Sequence, residues 1–129
     1  MGEPQKVAGQ RNAAIASVIP CSVQAGFHVN SHTPTYDYLK PLELTWTSTG
    51  ALTPGKVTYP KPSMEKYAFS KDPLSVLTGK FDLIAHFKVA PNAPAGPGIT
   101  TGKLKYQACN DRACFPPKTI EIAVPYQIE

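Results

Sequence analysis

The chain has 129 residues, 42% of them apolar, which is the size of one compact domain and enough to bury a core without metal or several disulfides. Thirteen basic against nine acidic side chains leave a net charge of +4 with no run of like charge, so a nucleic-acid-binding arm is excluded. No stretch nears the ~20 apolar residues that cross a bilayer, and no membrane segment is expected.

In chain order, residues 1–12 are polar and aperiodic and read as a loose tail, with one domain over 13–129. The opening MGEPQKVAGQRN carries neither the apolar h-region nor the cleavage site of a signal peptide. An export signal removed upstream and a cytosolic origin are both compatible with it. Ile15, Val18, Ile19, Val23 and Val29 recur around a break at Gln24-Ala25-Gly26, predicting two strands joined by a short turn. Leu42, Leu44 and Trp46 alternate with polar neighbours, as in a strand with one buried face. Gly50 to Gly55 reads as a turn cluster before a strand at Val57 to Tyr59, which Pro60 and Pro62 must end or place at an edge.

The segment SMEKYAFSKDPLSVLTGK has weak periodicity and reads as a loop followed by a short strand. Phe81, Leu83, Ala85, Phe87 and Val89 then give the clearest period-two pattern, closed by the loop PNAPAGPG. Ile99 to Cys109 and Thr119 to Ile128 add two more strands. Seven or eight short strands with no helical period predict an all-β, antiparallel sandwich of immunoglobulin-like type.

Two cysteines, Cys109 and Cys114, flank Asn110-Asp111-Arg112-Ala113. If that quartet is a hairpin loop, residues facing each other across the ladder stand about 4.5 to 5.5 Å apart between Cα atoms, within reach of a disulfide. Closing so short a loop contributes only roughly 2 kcal/mol on the chain-entropy model. A bridge at a hairpin tip is also open to attack by another protein's thiolate. Pro116 and Pro117 remove two donors just beyond Cys114 and leave the site at a sheet edge. An accessible pair is expected, and spacing alone leaves structural and redox readings open. Cys21, in an apolar strand, reads as a small buried hydrophobe.

The segments YQACNDRACFPP, GFHVNSHTP (Gly26 to Pro34) and VTYPKP (Val57 to Pro62) resemble the N-terminal periplasmic domain of the bacterial thiol:disulfide interchange protein DsbD family, over about Ala13 to Glu129. The resemblance implies an immunoglobulin-like fold in which Cys109 and Cys114 exchange electrons with partner proteins, with no cofactor. It further implies a thioredoxin-like domain as electron donor and periplasmic disulfide isomerases or cytochrome c maturation thioredoxins as acceptors. A periplasmic, monomeric domain tethered to an inner-membrane part follows in the same way. The family carries an aromatic cap loop over the disulfide. The matching stretch is KYAFSKDPLS, with Phe69 as the first candidate for the capping ring and Tyr67 the second. Tyr67 and Ala68 replace the acidic pair that precedes this phenylalanine in relatives. At His28 and Asn30 relatives can carry tyrosines. If the face these two share borders the cysteines, His28 could stabilise a thiolate or shuttle its proton.

Two rival readings use the same residues. His28 and His32 with the cysteine pair make a Cys2His2 zinc set, though its spacings are unusual for a knuckle. A binding module on the same sandwich would keep the disulfide as a structural one. Hydrolase and nucleotide motifs are missing from the sequence.

Overall fold

The computed structural model describes residues 2–48 and 50–129. The described residues form eleven strands: β1 Val7–Gly9, β2 Ala14–Ser22, β3 His28–Asn30, β4 Glu43–Ser48, β5 Leu52–Thr58, β6 Ser63–Glu65, β7 Leu74–Leu77, β8 Lys80–Val89, β9 Gly96–Tyr106, β10 Ala108–Cys109 and β11 Lys118–Ile128. No helix occurs among the described residues, and the fold is the expected all-β sandwich.

Alternation of apolar and polar residues explains the layers. One sheet, in the order β1-β11-β9-β4, presents Leu44, Leu104, Ile122, Val124 and Tyr126 to a second, β2-β8-β5, which answers with Ile19, Leu83, Ala85 and Phe87. All of these are buried. Trp46 reaches the same core and lies tilted against Phe87 at 4.8 Å between ring centroids. Gly102 makes room for it, because a Cβ there would stand 2.6 Å from the Thr45 carbonyl and 2.8 Å from the Trp46 ring.

A third sheet, β10-β3-β7-β6, decides where the chemistry sits. Its residues alternate between two apolar clusters. Val29, Leu77 and Ala108 join the main core. Leu74 and Val76 point the other way, into a satellite cluster with Leu39 that also takes Tyr36, Tyr67 and Cys114. This small sheet thus has a main-core face and a face with a hydrophobic cluster of its own.

Three expectations need correction. Residues 1–12 are not a loose tail throughout: Met1 lies outside the described residues, but the Gly2 and Gln5 amides donate to the Pro20 and Val18 carbonyls on the free edge of β2. Val7–Gly9 then pairs parallel to β11, with Val7 buried. Open sheet edges offer unpaired backbone groups, and a polar sequence needs no periodicity to fill them. The Gly50 to Gly55 turn cluster is also mostly strand, since β5 starts at Leu52 and absorbs Gly55 and Lys56 in a register shift between Pro54 and Val57. The weakly periodic segment contains the three-residue β6 besides the strand foreseen after it.

Candidate functional site

Cys109 ends the two-residue strand β10 at the edge of the third sheet, and Cys114 faces it across an isolated antiparallel bridge. The two form a disulfide with Cα atoms 4.0 Å apart, closer than the hairpin estimate. Asn110 makes the turn. Its amide donates to the Ala113 carbonyl, while its Oδ1 accepts from the amides of Arg112 at 2.8 Å and Ala113 at 2.9 Å. An asparagine side chain thus does part of the work of a backbone turn.

The expectation of an open disulfide is corrected. Cys109 is 0% exposed, and Cys114 is half-buried. Cysteine spacing and the proline pair place the bridge at an edge, but an edge strand has faces too, and this one is covered. The cover is the segment between β6 and β7. Tyr67 lies flat on His28 at 4.1 Å between ring centroids, and Phe69 stacks on Tyr67 at 5.7 Å. Phe69, 38% exposed, also lines a cleft of about 180 Å³ with Tyr38, Leu39, Leu74, Gln107 and Cys114. Of the two aromatic candidates for the cap, Tyr67 is therefore the inner ring and Phe69 the outer one beside Cys114.

The cap folds on itself and is tied to a second loop. Lys66 Nζ donates to the carbonyls of Tyr67 and Ser70, and the Ser70 amide returns to the Tyr67 carbonyl. Tyr36 donates its hydroxyl to Asp72 at 2.7 Å, and Thr35 Oγ1 donates to the Pro73 carbonyl. Few apolar side chains anchor this segment, and such segments open at low cost.

Below the cap, β3 pairs antiparallel with β10 so that His28 stands directly opposite Cys109. His28 and Asn30 are buried, and as alternate residues they share the disulfide's side of the strand. Burial pushes the His28 pKa down, which keeps the ring neutral at neutral pH. Burial also pushes the Tyr67 hydroxyl up, with Glu65 adding to the effect. Asn30 donates through Nδ2 to the Lys40 carbonyl and to Gln107 Oε1.

Gln107 was not a candidate from sequence. Its Oε1 accepts from Asn30 Nδ2 and from the Lys40 amide, both at 2.9 Å, and its Nε2 donates to the Phe115 carbonyl at 3.2 Å. It fastens β3, the loop before β4 and the Cys114 arm to one another. The available signal was its place two residues before Cys109, hence on the same strand face.

The zinc set does not assemble. His32 is exposed, stacks on Tyr59 at 4.0 Å and directs Nδ1 to the Leu42 carbonyl. Among the described residues no three His, Cys, Asp or Glu side chains gather where they could hold a metal. Cys21 is free and half-buried, so less enclosed than expected. Burial above all pushes its thiol up to about 11, so it stays protonated at neutral pH. It lines a separate apolar cleft of about 300 Å³ with Val29 and Ala108, which face away from the disulfide side of their strands.

No helix among the described residues is long and apolar enough to cross a membrane. No curated protein matches the chain in sequence. Among solved structures, a family 123 glycoside hydrolase from Clostridium perfringens, described for glycolipid glycan hydrolysis, is 12% identical with a TM-score of 0.41. The alignment covers 97% of this chain and 22% of that one. Residues 5–125, which include the disulfide, its cap and the strand beneath it, match the family described as "Thiol:disulfide interchange protein DsbD, N-terminal". The chain belongs to that family, whose chemistry is thiol-disulfide exchange.

Proposed function

We propose that this domain relays electrons through Cys109 and Cys114, taking them from a thioredoxin-like domain and passing them to oxidised periplasmic proteins. Disulfide isomerases and cytochrome c maturation thioredoxins are the acceptors the family suggests, and tethering to an inner-membrane part would supply the donor. The observation that carries the reading is a disulfide covered by a separable segment instead of by the main core. Tyr67 and Phe69 shield it from small oxidants, and a docking partner displaces them.

In the delivering direction, the Cys114 thiolate attacks a partner disulfide R–S–S–R′, forming Cys114–S–S–R and releasing R′–S⁻. Cys109 then attacks the Cys114 sulfur, re-forming the internal disulfide and releasing R–S⁻. Two electrons pass to the partner, and its two thiolates take up two protons. The half-exposed position of Cys114 beside the cleft supports its role as the attacking thiol.

The full burial of Cys109 favours the rival reading of a structural disulfide. Mixing the reduced domain with an oxidised thioredoxin-fold isomerase separates the two. Relay chemistry is expected to transfer two electrons per chain within minutes and regenerate Cys109–Cys114. A partner that stays oxidised contradicts it.

A further inference from the structure

Among the described residues, two buried side-chain N or O atoms lack a hydrogen-bond partner: His28 Nε2 and Asn30 Oδ1. Both belong to β3, and by strand alternation both lie on the disulfide's side of it. A buried polar atom left unpaired costs about 1–3 kcal/mol, and such atoms call for an explanation. A core defect would place them anywhere. Here they sit where a covalent bond is to be broken and made.

At His28 Nε2 the disulfide form itself explains the shortfall. Neither sulfur of a disulfide carries a proton, so Cys109 has nothing to donate. Reduction adds two electrons and two protons and turns Cys109 into a thiol, a weak donor. His28 is its cross-strand neighbour, and directly opposed side chains have Cβ atoms roughly 4.5–5.5 Å apart, a gap that an imidazole and a sulfur can bridge. The Tyr67 ring stacked on His28 leaves the imidazole little room to turn away, and burial keeps it neutral and able to accept.

We propose that His28 Nε2 is the acceptor for the Cys109 thiol proton. It holds the S–H in a hydrogen bond in the reduced domain and takes up the proton in the resolving step. That step then balances within the site. As the Cys109 sulfur attacks the sulfur of Cys114–S–S–R, its proton moves to Nε2, the internal disulfide forms and R–S⁻ leaves. The imidazolium gives its proton to the departing R–S⁻ and returns to the neutral ring. No solvent base has to enter a site in which Cys109 is fully enclosed. This inference rests on the exchange reading and adds a residue to it.

Two variants test it. His28→Phe keeps an aromatic ring under Tyr67 and removes the acceptor, whereas His28→Gln restores an acceptor that cannot hold the proton. In glutathione redox buffer, His28→Phe is expected to shift the equilibrium about fivefold toward the disulfide, the worth of one net hydrogen bond, and His28→Gln to recover most of it. With a partner mixed disulfide preformed on Cys114, both variants are expected to resolve at least tenfold more slowly than the wild type. Wild-type equilibrium and resolution in His28→Phe would overturn the proposal and leave the exchange reading standing. A wild-type disulfide that no thioredoxin-fold protein reduces would remove both. Should either variant fail to fold, the ¹⁵N shift of His28 Nε2 in the oxidised and reduced wild type decides. A change on reduction supports the hydrogen bond, and an unchanged resonance refutes it.

Discussion

A chain in which Cys109 is replaced by alanine is expected to form mixed disulfides with an oxidised thioredoxin-fold partner at least tenfold faster than one in which Cys114 is replaced. Attack on a disulfide needs the three sulfurs nearly in line, so the attacking sulfur must reach the partner's surface. Cys114 lies in the wall of the cleft that Tyr38 and Phe69 rim, and Phe115 beside it is 40% exposed. These exposed aromatics are the residue type on which protein interfaces concentrate their binding energy. Cys109 has no such route, having no exposed surface. Trapping each variant and quantifying the adduct on the remaining member of the pair by mass spectrometry gives the ratio. Equal trapping through both thiols would mean that the arm unfolds during exchange.

Tyr67→Ala is expected to speed reduction of the disulfide by dithiothreitol roughly tenfold, with a smaller gain for Phe69→Ala. The closed cap is held by the His28–Tyr67–Phe69 stack, and aromatic stacking contributes about 0.5–1.5 kcal/mol per pair. Losing 1–2 kcal/mol from the closed form raises the open population by a factor of about 5–30, and a reductant that acts only on the open form follows that population. Tyr67 packs against the satellite cluster and neither ring belongs to the main core, so the melting temperature should fall by only a few degrees. A reduction rate unmoved by Tyr67→Ala would show that the cap is no gate.

Much of this was legible in the sequence because the main core is built from alternation. The β8 pattern at Leu83, Ala85, Phe87 and Val89 and the β11 pattern at Ile122 and Val124 give strand, face and burial together. The cysteine pair was legible through Asn110, whose turn chemistry sets the two arms opposite each other. Periodicity gives no sign that residues 66–73 are a cover, since a cap works by a few stacked rings and backbone bonds, none of which leaves a period; only the family resemblance points to this stretch and to Phe69 and Tyr67. Spacing and the proline pair miss the burial of Cys109 for the same reason. Edge position followed from Pro116 and Pro117, but exposure depends on what packs over the edge from forty residues away. Gln107 was hidden because its three partners come from β3, the Lys40 loop and the Cys114 arm, a convergence that only the folded chain displays. Short strands such as β1 and β6 owe their pairing to open edges, and their side chains carry no pattern to find.

The most direct measurement is equilibration of the wild-type domain against graded ratios of reduced and oxidised glutathione, with the Cys109 and Cys114 thiols counted by alkylation after acid quench. A pair that serves as a relay should be half-reduced at a potential above roughly −300 mV, within reach of thioredoxin-like donors. A pair that stays fully oxidised well below that potential would be a structural disulfide, and the exchange function would be contradicted.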